Sequence, residues 1–467
     1  FKILLSMICN HLEHKQEKNP EILLEEFDLF ILFEEVPLTS SISKILSTYY
    51  EKNVSVDKIV PFFEKEIGLC FLIEYQIDKN LYKLLGSLFS SKQSRFDVMI
   101  FESNKFPFDN SVKPNYLVEW TKSSNSDSRN MPYQRFTKFV SHDFSHAKQA
   151  LMIEQGSVSK EITSAYKIMA RLYKTVDIPV IITNVDGSEP AEARVFNEAK
   201  PYQSIKELIK EKNNQPEPVS GQEQKFSIDK AGIIEYSIRL QKGSKPKAWS
   251  DPSIGTALIN AVALRKLGYE KQFRIVQHNF KNKDLKNICS GTSKQHKAFE
   301  KYDITLDDNP IKYTGSGDYN WKIDRETEKV GTIYLHCKLN LNPRFEIIFH
   351  NHAGGEYSDI TIKGERKIFE QMESKPDLCF VDNKTKKIFV IEGKKTENLE
   401  EGRKQILTTE KFSNLIKDFY KDYELKNLIV LTDSENDNTH KCPQDVLLIF
   451  RNKQKPLINK SYKYLFE

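Results

Sequence analysis

KPDLCFVDNKTKKIFVIEGKKTENLEEGRKQ, residues 375–405, is the stretch from which the rest of the chain is read. Two apolar, β-rich runs, 378–381 and 388–391, flank the polar segment 382–387. That pattern predicts a β-hairpin. The hairpin sets Asp377 at the start of one strand and Glu392 and Lys394 at the end of the next. Residues two apart on a strand share a face. Glu392 and Lys394 are therefore expected on one side, close to Asp377. Two carboxylates and an ammonium gathered at one spot suit a hard divalent cation and a water-derived nucleophile.

Pro376-Asp377 followed by Glu392-Gly393-Lys394 resembles the signature of the PD-(D/E)XK nuclease superfamily, which includes most type II restriction endonucleases. The resemblance implies that Asp377 and Glu392 bind Mg²⁺, with the backbone carbonyl of Gly393 as a further ligand, and that Lys394 is the catalytic lysine. It also implies that Gln405, on the following helix, supports the site or the DNA backbone. Glu365 is expected on a preceding helix as an extra acidic residue.

A second set of elements has the same order. A strand at 95–101 carries Asp97, a strand at 115–122 carries Glu119, a helix follows with Gln134, and a strand lies at 178–183. In the C-terminal half, Asp377, Glu392 and Gln405 are followed by strands at 427–432 and 446–450. Short strands alternating with helices indicate an α/β layer architecture. By analogy Asp97 and Glu119 are metal ligands of a second site. The position two after Glu119 is Thr121, and Lys122 lies one residue further on. A β-bulge would be needed to turn Lys122 inward.

The rest of the chain is read around these two regions. Residues 1–90 are expected to be mainly helical, because Leu23, Leu24, Phe27, Phe30 and Ile31 recur at helical spacing. Ser55 and Asp57 are read as opening a further helix through Phe62, Phe63 and Ile67, and Glu66 and Glu74 are acidic residues within reach of a site. Helical sequence is expected to run on to Tyr173. The segment 211–221 reads as a polar, Pro-containing linker. Asp251-Pro252 reads as an N-cap with Pro at the first helical position. Strands are expected at 273–277, 331–335 and 344–349. The fold class is thus α/β and α+β multidomain. Two PD-(D/E)XK-like cores, 1–204 (with a helical layer) and 356–467, flank an α+β DNA-recognition domain, 205–355.

Composition is globular, with 467 residues, 39% hydrophobic and 29% charged. No apolar run approaches the ~18 residues of a membrane span, and residues 2–9 make a poor signal peptide. Six scattered cysteines form no CxxC pair and read as reduced thiols in a cytoplasmic protein. The net charge of +5 does not by itself call for nucleic acid. Residues 241–300, however, hold twelve Lys or Arg against four Asp or Glu. Such a local basic surface attracts phosphates. Lys242, Lys245, Lys247, Arg274, Gln277 and Asn279 are the candidate DNA contacts there. His142 and His146 have the spacing of a zinc helix but lack its glutamate, and 314–317 is Gly-rich without a phosphate-loop lysine. His350-Asn-His352 is too compact for an HNH nuclease.

Together these features are expected of a Mg²⁺-dependent, site-specific DNA endonuclease that cuts one strand of double-stranded DNA at each of two sites. Two unlike sites on one chain favour a monomer, and the resemblance implies a cognate DNA methyltransferase. Two alternatives stand beside it. One is a single-site nuclease with a DNA-binding or sensor module, acting as a dimer. The other is a non-catalytic DNA-binding protein with nuclease-derived folds.

Overall fold

The computed structural model describes residues 27–34, 39–64, 67–90, 96–108, 111–123, 131–140, 147–155, 164–184, 189–215, 222–240, 251–278, 301–306, 309–310, 322–323, 328, 330–340, 342–350, 359–362, 365–368, 375–433, 441–451 and 456–466. The protein is of mixed α/β class, and the described residues form three mixed sheets and a two-stranded ribbon.

The N-terminal sheet begins with β1, Leu29–Phe33, whose residues are all buried. A helix, α1 (Thr39–Tyr50), leads to three long strands, β2 (Val54–Glu64), β3 (Gly68–Ile77) and β4 (Asn80–Ser90). These strands correct the expected helical layer. Phe30 and Ile31 lie on β1, and Asp57, Phe62 and Phe63 lie on β2. Two-residue alternation wins, because β3 buries every second residue from Phe71 to Ile77. The β3–β4 turn places Asp78 and Lys79 at φ 51° and 67°. Paired positive φ values make the tight hairpin turn that matches strand twist. Glu74 is paired with Lys83 on the neighbouring strand, which gives it a structural role. Leu23, Leu24 and Glu66 lie outside the described residues.

Four further strands extend this sheet: β5 (Val98–Glu102), β6 (Tyr116–Ser123), β7 (Lys148–Gln155) and β8 (Val180–Asn184). Helix α2 (Met131–Val140) joins β6 to β7, and α3 (Ser164–Val176) joins β7 to β8. The strand order is β2-β3-β4-β1-β5-β6-β7-β8. β5 runs antiparallel to β1 and β6, while β6, β7 and β8 are mutually parallel. β7 is a second correction, since its sequence was expected to be helical. KQALMIEQ is rich in helix formers, but a central place between two parallel partners overrides that propensity.

Helices α4 (Ala191–Glu198) and α5 (Ile205–Asn213) lead to the second sheet. Its strands are β9 (Gln222–Ile228), β10 (Ile234–Leu240), β11 (Phe273–His278), β12 (Ile304–Leu306) and β13 (Asn309–Pro310). Helix α6 (Asp251–Lys266) crosses between the parallel strands β10 and β11, in a βαβ unit. From Ala257 to Leu264 it is almost wholly buried, and it packs on α2 and α3. One continuous core therefore runs from Phe27 to Ile304, with no break at the expected 204/205 boundary.

A short strand, β14 (Lys322–Ile323), pairs with the end of β4. Helix α7, Val330–Asn340, occupies the segment 331–335 that was expected to be a strand. Its β-branched and aromatic residues mimic a strand run. It also lacks a polar face, because it packs between β2 of the first sheet and β15, β19, β20 and β21 of the third. The third sheet comprises β15 (Phe345–His350), β18 (Leu378–Asp382), β19 (Lys387–Lys395), β20 (Glu424–Asp433), β21 (Val446–Arg451) and β22 (Leu457–Ile458), in that order. The ribbon β16 (Asp359–Ile362) and β17 (Glu365–Ile368) precedes β18 in the chain. Helices α8 (Leu399–Thr408) and α9 (Glu410–Phe419) lie between β19 and β20. Thus α7 and β15, expected within the middle region, belong to the third sheet.

The expected hairpin forms in register. Leu378 pairs with Ile391, and Asp382 with Lys387. The third sheet then repeats the strand directions of the first. β15–β18 and β18–β19 are antiparallel, and β19–β20 and β20–β21 are parallel, matching β1–β5, β5–β6, β6–β7 and β7–β8. β7, the strand hidden in helix-like sequence, is the counterpart of β20.

Candidate functional site

At the C-terminal cluster, Asp377 sits one residue before β18. Its backbone N–H donates to the carbonyl of Ile391 at 3.0 Å, and its Oδ2 accepts the backbone N–H of Gly393 at 2.8 Å. These two bonds straddle Glu392, so the hairpin itself fixes both carboxylates. Asp377, Glu392 and Lys394 are 6%, 4% and 5% exposed. Lys394 Nζ lies 3.2 Å from Glu392 Oε1 and 2.7 Å from Glu328 Oε1. Burial pushes the Lys394 ammonium toward a lower pKa. The hydrogen bonds and charges of Glu328 and Glu392 outweigh that and hold it above its usual value. It is a charged hydrogen-bond donor throughout the neutral range.

Close packing explains the small residues here. A Cβ on Gly393 would lie 2.8 Å from Thr332 Cγ2 and 3.2 Å from Asp377 Oδ2. A Cβ on Gly402 would lie 2.9 Å from Lys394 Cγ, so α8 covers the lysine stem at that point. The first turn of α7 docks through Thr432, whose Oγ1 accepts from Gly331 N–H at 2.9 Å and lies 3.3 Å from the carbonyl of Glu328.

The N-terminal cluster is built the same way. Asp97 N–H donates to Val118 O at 3.0 Å, and Asp97 Oδ2 accepts the backbone N–H of Trp120 at 2.6 Å. These bonds straddle Glu119, which is fully buried. The lysine register is filled by Thr121, itself 2% exposed. The β6–β7 pairing runs from Tyr116 through Ser123 without a shift. The bulge needed to bring Lys122 inward is therefore absent from that ladder. The ammonium comes from elsewhere: Lys138 on α2 bonds Glu119 Oε1, and Arg135 Nη1 lies 3.4 Å from the same oxygen. Burial, followed by the charge of Asp97, pushes the Glu119 carboxyl up to about 8 against the pull of Lys138 and Arg135.

Glu328 and Lys138 are the residues that the sequence reading missed. Neither lies in a recognisable motif. Glu328 is 66 residues before Lys394, and Lys138 is 19 after Glu119. Glu365, expected on a helix, is on strand β17, and Glu328 is the acidic residue that reaches the cluster. Gln405 is on α8 as expected, and it is exposed. The backbones of Gln134 and Gln277 lie on α2 and β11. Arg274, a candidate DNA contact, is paired with Glu235 at 2.6 Å and with Asp229 at 3.6 Å, which ties its guanidinium to the protein. Lys242, Lys245, Lys247, Asn279, His142, His146, His352 and the segment 314–317 lie outside the described residues. His350 ends β15, and its ring stacks on His336 at 4.5 Å between centroids. Cys70, Cys337, Cys379 and Cys442 are free thiols.

Among the described residues, no group of three or more His, Cys, Asp or Glu side chains gathers as a metal cage. The C-terminal set offers two buried carboxylates and the carbonyl of Gly393. That donor set fits a small hard cation that keeps several of its waters. Among the described residues, no helix is long and apolar enough to cross a membrane. No family model, curated protein or solved structure matches the chain.

Proposed function

We propose that the protein is a Mg²⁺-dependent DNA endonuclease whose principal site is Asp377, Glu392 and Lys394. The observation that carries this reading is the backbone brace on Asp377, which fixes two buried carboxylates beside a buried, charged lysine. Asp377, Glu392 and the Gly393 carbonyl would hold the cation, which when bound supplies Lewis-acid stabilisation of the phosphate and lowers the pKa of water. Lys394 keeps its proton. It therefore acts by donating hydrogen bonds to the attacking water and to the phosphate oxygens, where negative charge accumulates. Glu328 orients that ammonium through the 2.7 Å contact. Burial of the cluster lowers the local dielectric and strengthens each of these interactions.

In this reading the substrate is double-stranded DNA, cut at a short recognition sequence. The basic segment 241–300 draws the phosphates in, and a cognate methyltransferase protects the host's own sites. The experiment is to digest DNA of varied sequence with the protein and Mg²⁺ and to sequence the new ends. Ends that recur at one short sequence support the proposal. Ends with no sequence preference remove the site-specific part of it. A second reading, with one working site, is favoured by a specific observation: Thr121 stands where the N-terminal cluster should carry its lysine.

A further inference from the structure

We propose that Lys138, reaching from α2, gives the N-terminal carboxylate pair the ammonium that Lys394 gives the C-terminal pair. Asp97, Glu119 and Lys138 then form a second, more weakly cation-binding hydrolytic half-site. This rests on the nuclease reading above and names the residue that a second site would need.

The two clusters share one construction. In each, an Asp N–H binds the carbonyl before the Glu, at 3.0 Å in both cases. In each, the Asp Oδ2 accepts the N–H that follows the Glu, at 2.6 Å and 2.8 Å. The strand carrying the Glu is followed by a helix and then by a parallel strand in both. They part at the next residue on that face, Thr121 against Lys394. The cation missing at Thr121 is present in space, because Lys138 Nζ bonds Glu119 Oε1. Arg135 and Lys138 are three apart on α2, so both project from one helix face toward this carboxylate.

A purely structural ion pair is the competing explanation, and the brace shared with the C-terminal cluster, together with the second carboxylate oxygen, argues against it. Glu119 is fully buried, yet its Oε2 has no hydrogen-bond partner among the described residues. Most buried carboxylate oxygens are satisfied, since an open one carries a desolvation penalty. That oxygen is a donor atom which a cation held by the braced pair would take up.

Charge balance separates the two half-sites. Glu119 faces two cations, Arg135 and Lys138. At the C-terminal cluster, two carboxylates, Glu392 and Glu328, face one cation, Lys394. Two cations already lie against Glu119 and burial favours its protonated form, so the N-terminal pair takes a divalent cation less tightly. It fills fully only when a phosphate adds negative charge. In the step served, a water oxygen forms a bond to phosphorus while one bridging P–O bond breaks. The leaving oxygen takes a proton, and the attacking water gives one to solvent.

The test uses the full chain carrying Asp377→Asn and Glu392→Gln, which silences the C-terminal cluster. Tb³⁺ is titrated in, and its emission is excited through tryptophan. Trp120 adjoins Glu119 and serves as the antenna. The same protein is assayed for single-strand nicking of supercoiled plasmid with Mg²⁺. The expected result is Tb³⁺ emission that Glu119→Gln removes and Lys138→Met keeps, with nicking reduced about a hundredfold by Lys138→Met. Moving the ammonium back to the strand, with Thr121→Lys added to Lys138→Met, is expected to recover about tenfold of that loss. In the otherwise unaltered chain, the C-terminal cluster is expected to bind Tb³⁺ at least about tenfold more tightly. The inference is overturned if Tb³⁺ emission ignores Glu119→Gln, if Lys138→Met nicks normally, or if Lys138→Met loses emission and nicking together, which marks a structural pair. Failure of the nuclease reading itself looks different, because the unaltered protein then cuts nothing.

Discussion

Gly393 shows how one residue ties the candidate site to the fold. It donates to Asp377, and it has no room for a Cβ between Thr332 and that carboxylate. Gly393→Ala is expected to lower stability by about 1–3 kcal/mol, measured by denaturant titration. Thr332→Ala in the same chain is expected to recover part of the loss, because it removes the methyl group 2.8 Å away. Lys212 gives a second prediction at this scale. Burial alone pulls its pKa down to about 7, against a weak opposing pull from Glu211. The unfolded chain therefore binds more protons between about pH 7 and pH 10, and this residue's contribution to stability rises with pH across that window. Lys212→Met is expected to raise the melting temperature at pH 7, and the gain should shrink toward pH 10. A gain that grows with pH would contradict this account. Asp377, Glu392 and Lys394 are legible in the sequence because one hairpin brings them together within a short window. Glu328 and Lys138 are not, because their contacts depend on where α7 and α2 dock.

Among the elements, the β18–β19 hairpin is anchored at its tip by Asp382. This carboxylate receives two bonds from Arg344, at 2.8 Å each, and further bonds from Lys384 N–H, Thr385 N–H and Thr385 Oγ1. Burial tends to raise its pKa, but these donors outweigh burial and hold it below the usual carboxylate value. A depressed carboxylate stabilises the fold above the unfolded pKa, about 4, and loses that effect as the pH falls below it. Asp382→Ala is expected to cost roughly 3 kcal/mol at pH 7, because it leaves the Arg344 guanidinium without its partner. The difference from the parent chain should fade in acid melts below about pH 4. The hairpin is readable from alternating apolar runs and a polar turn. β7 and α7 are not, for opposite reasons. β7 is written in helix formers and α7 in strand formers, and in both the surroundings override local preference.

For the whole molecule, α7 is the shared element. One buried cluster joins Ile31, Phe71 and Val98 of the first sheet to Val330 and Leu335 of α7 and to Leu378, Phe380 and Phe389 of the third. β14 pairs with the end of β4, which ties a second element ahead of α7 to the first sheet. The first and third sheets are therefore expected to unfold together. Scanning calorimetry should give one transition for both, and Leu335→Ala should lower it without splitting it. Two resolved transitions, only one of them moved by Leu335→Ala, would contradict a shared core. The repetition of strand directions between these sheets underlies the functional proposal, in which each sheet presents a braced carboxylate pair. The most direct test of that proposal is the conversion of supercoiled plasmid by the unaltered protein, by Asp377→Asn and by Lys394→Met, with Mg²⁺ and with chelator. The account predicts Mg²⁺-dependent cleavage by the unaltered protein, no linear product from either variant, and none in chelator. Linear product from Asp377→Asn at the unaltered rate, or cleavage that survives chelation, would contradict it.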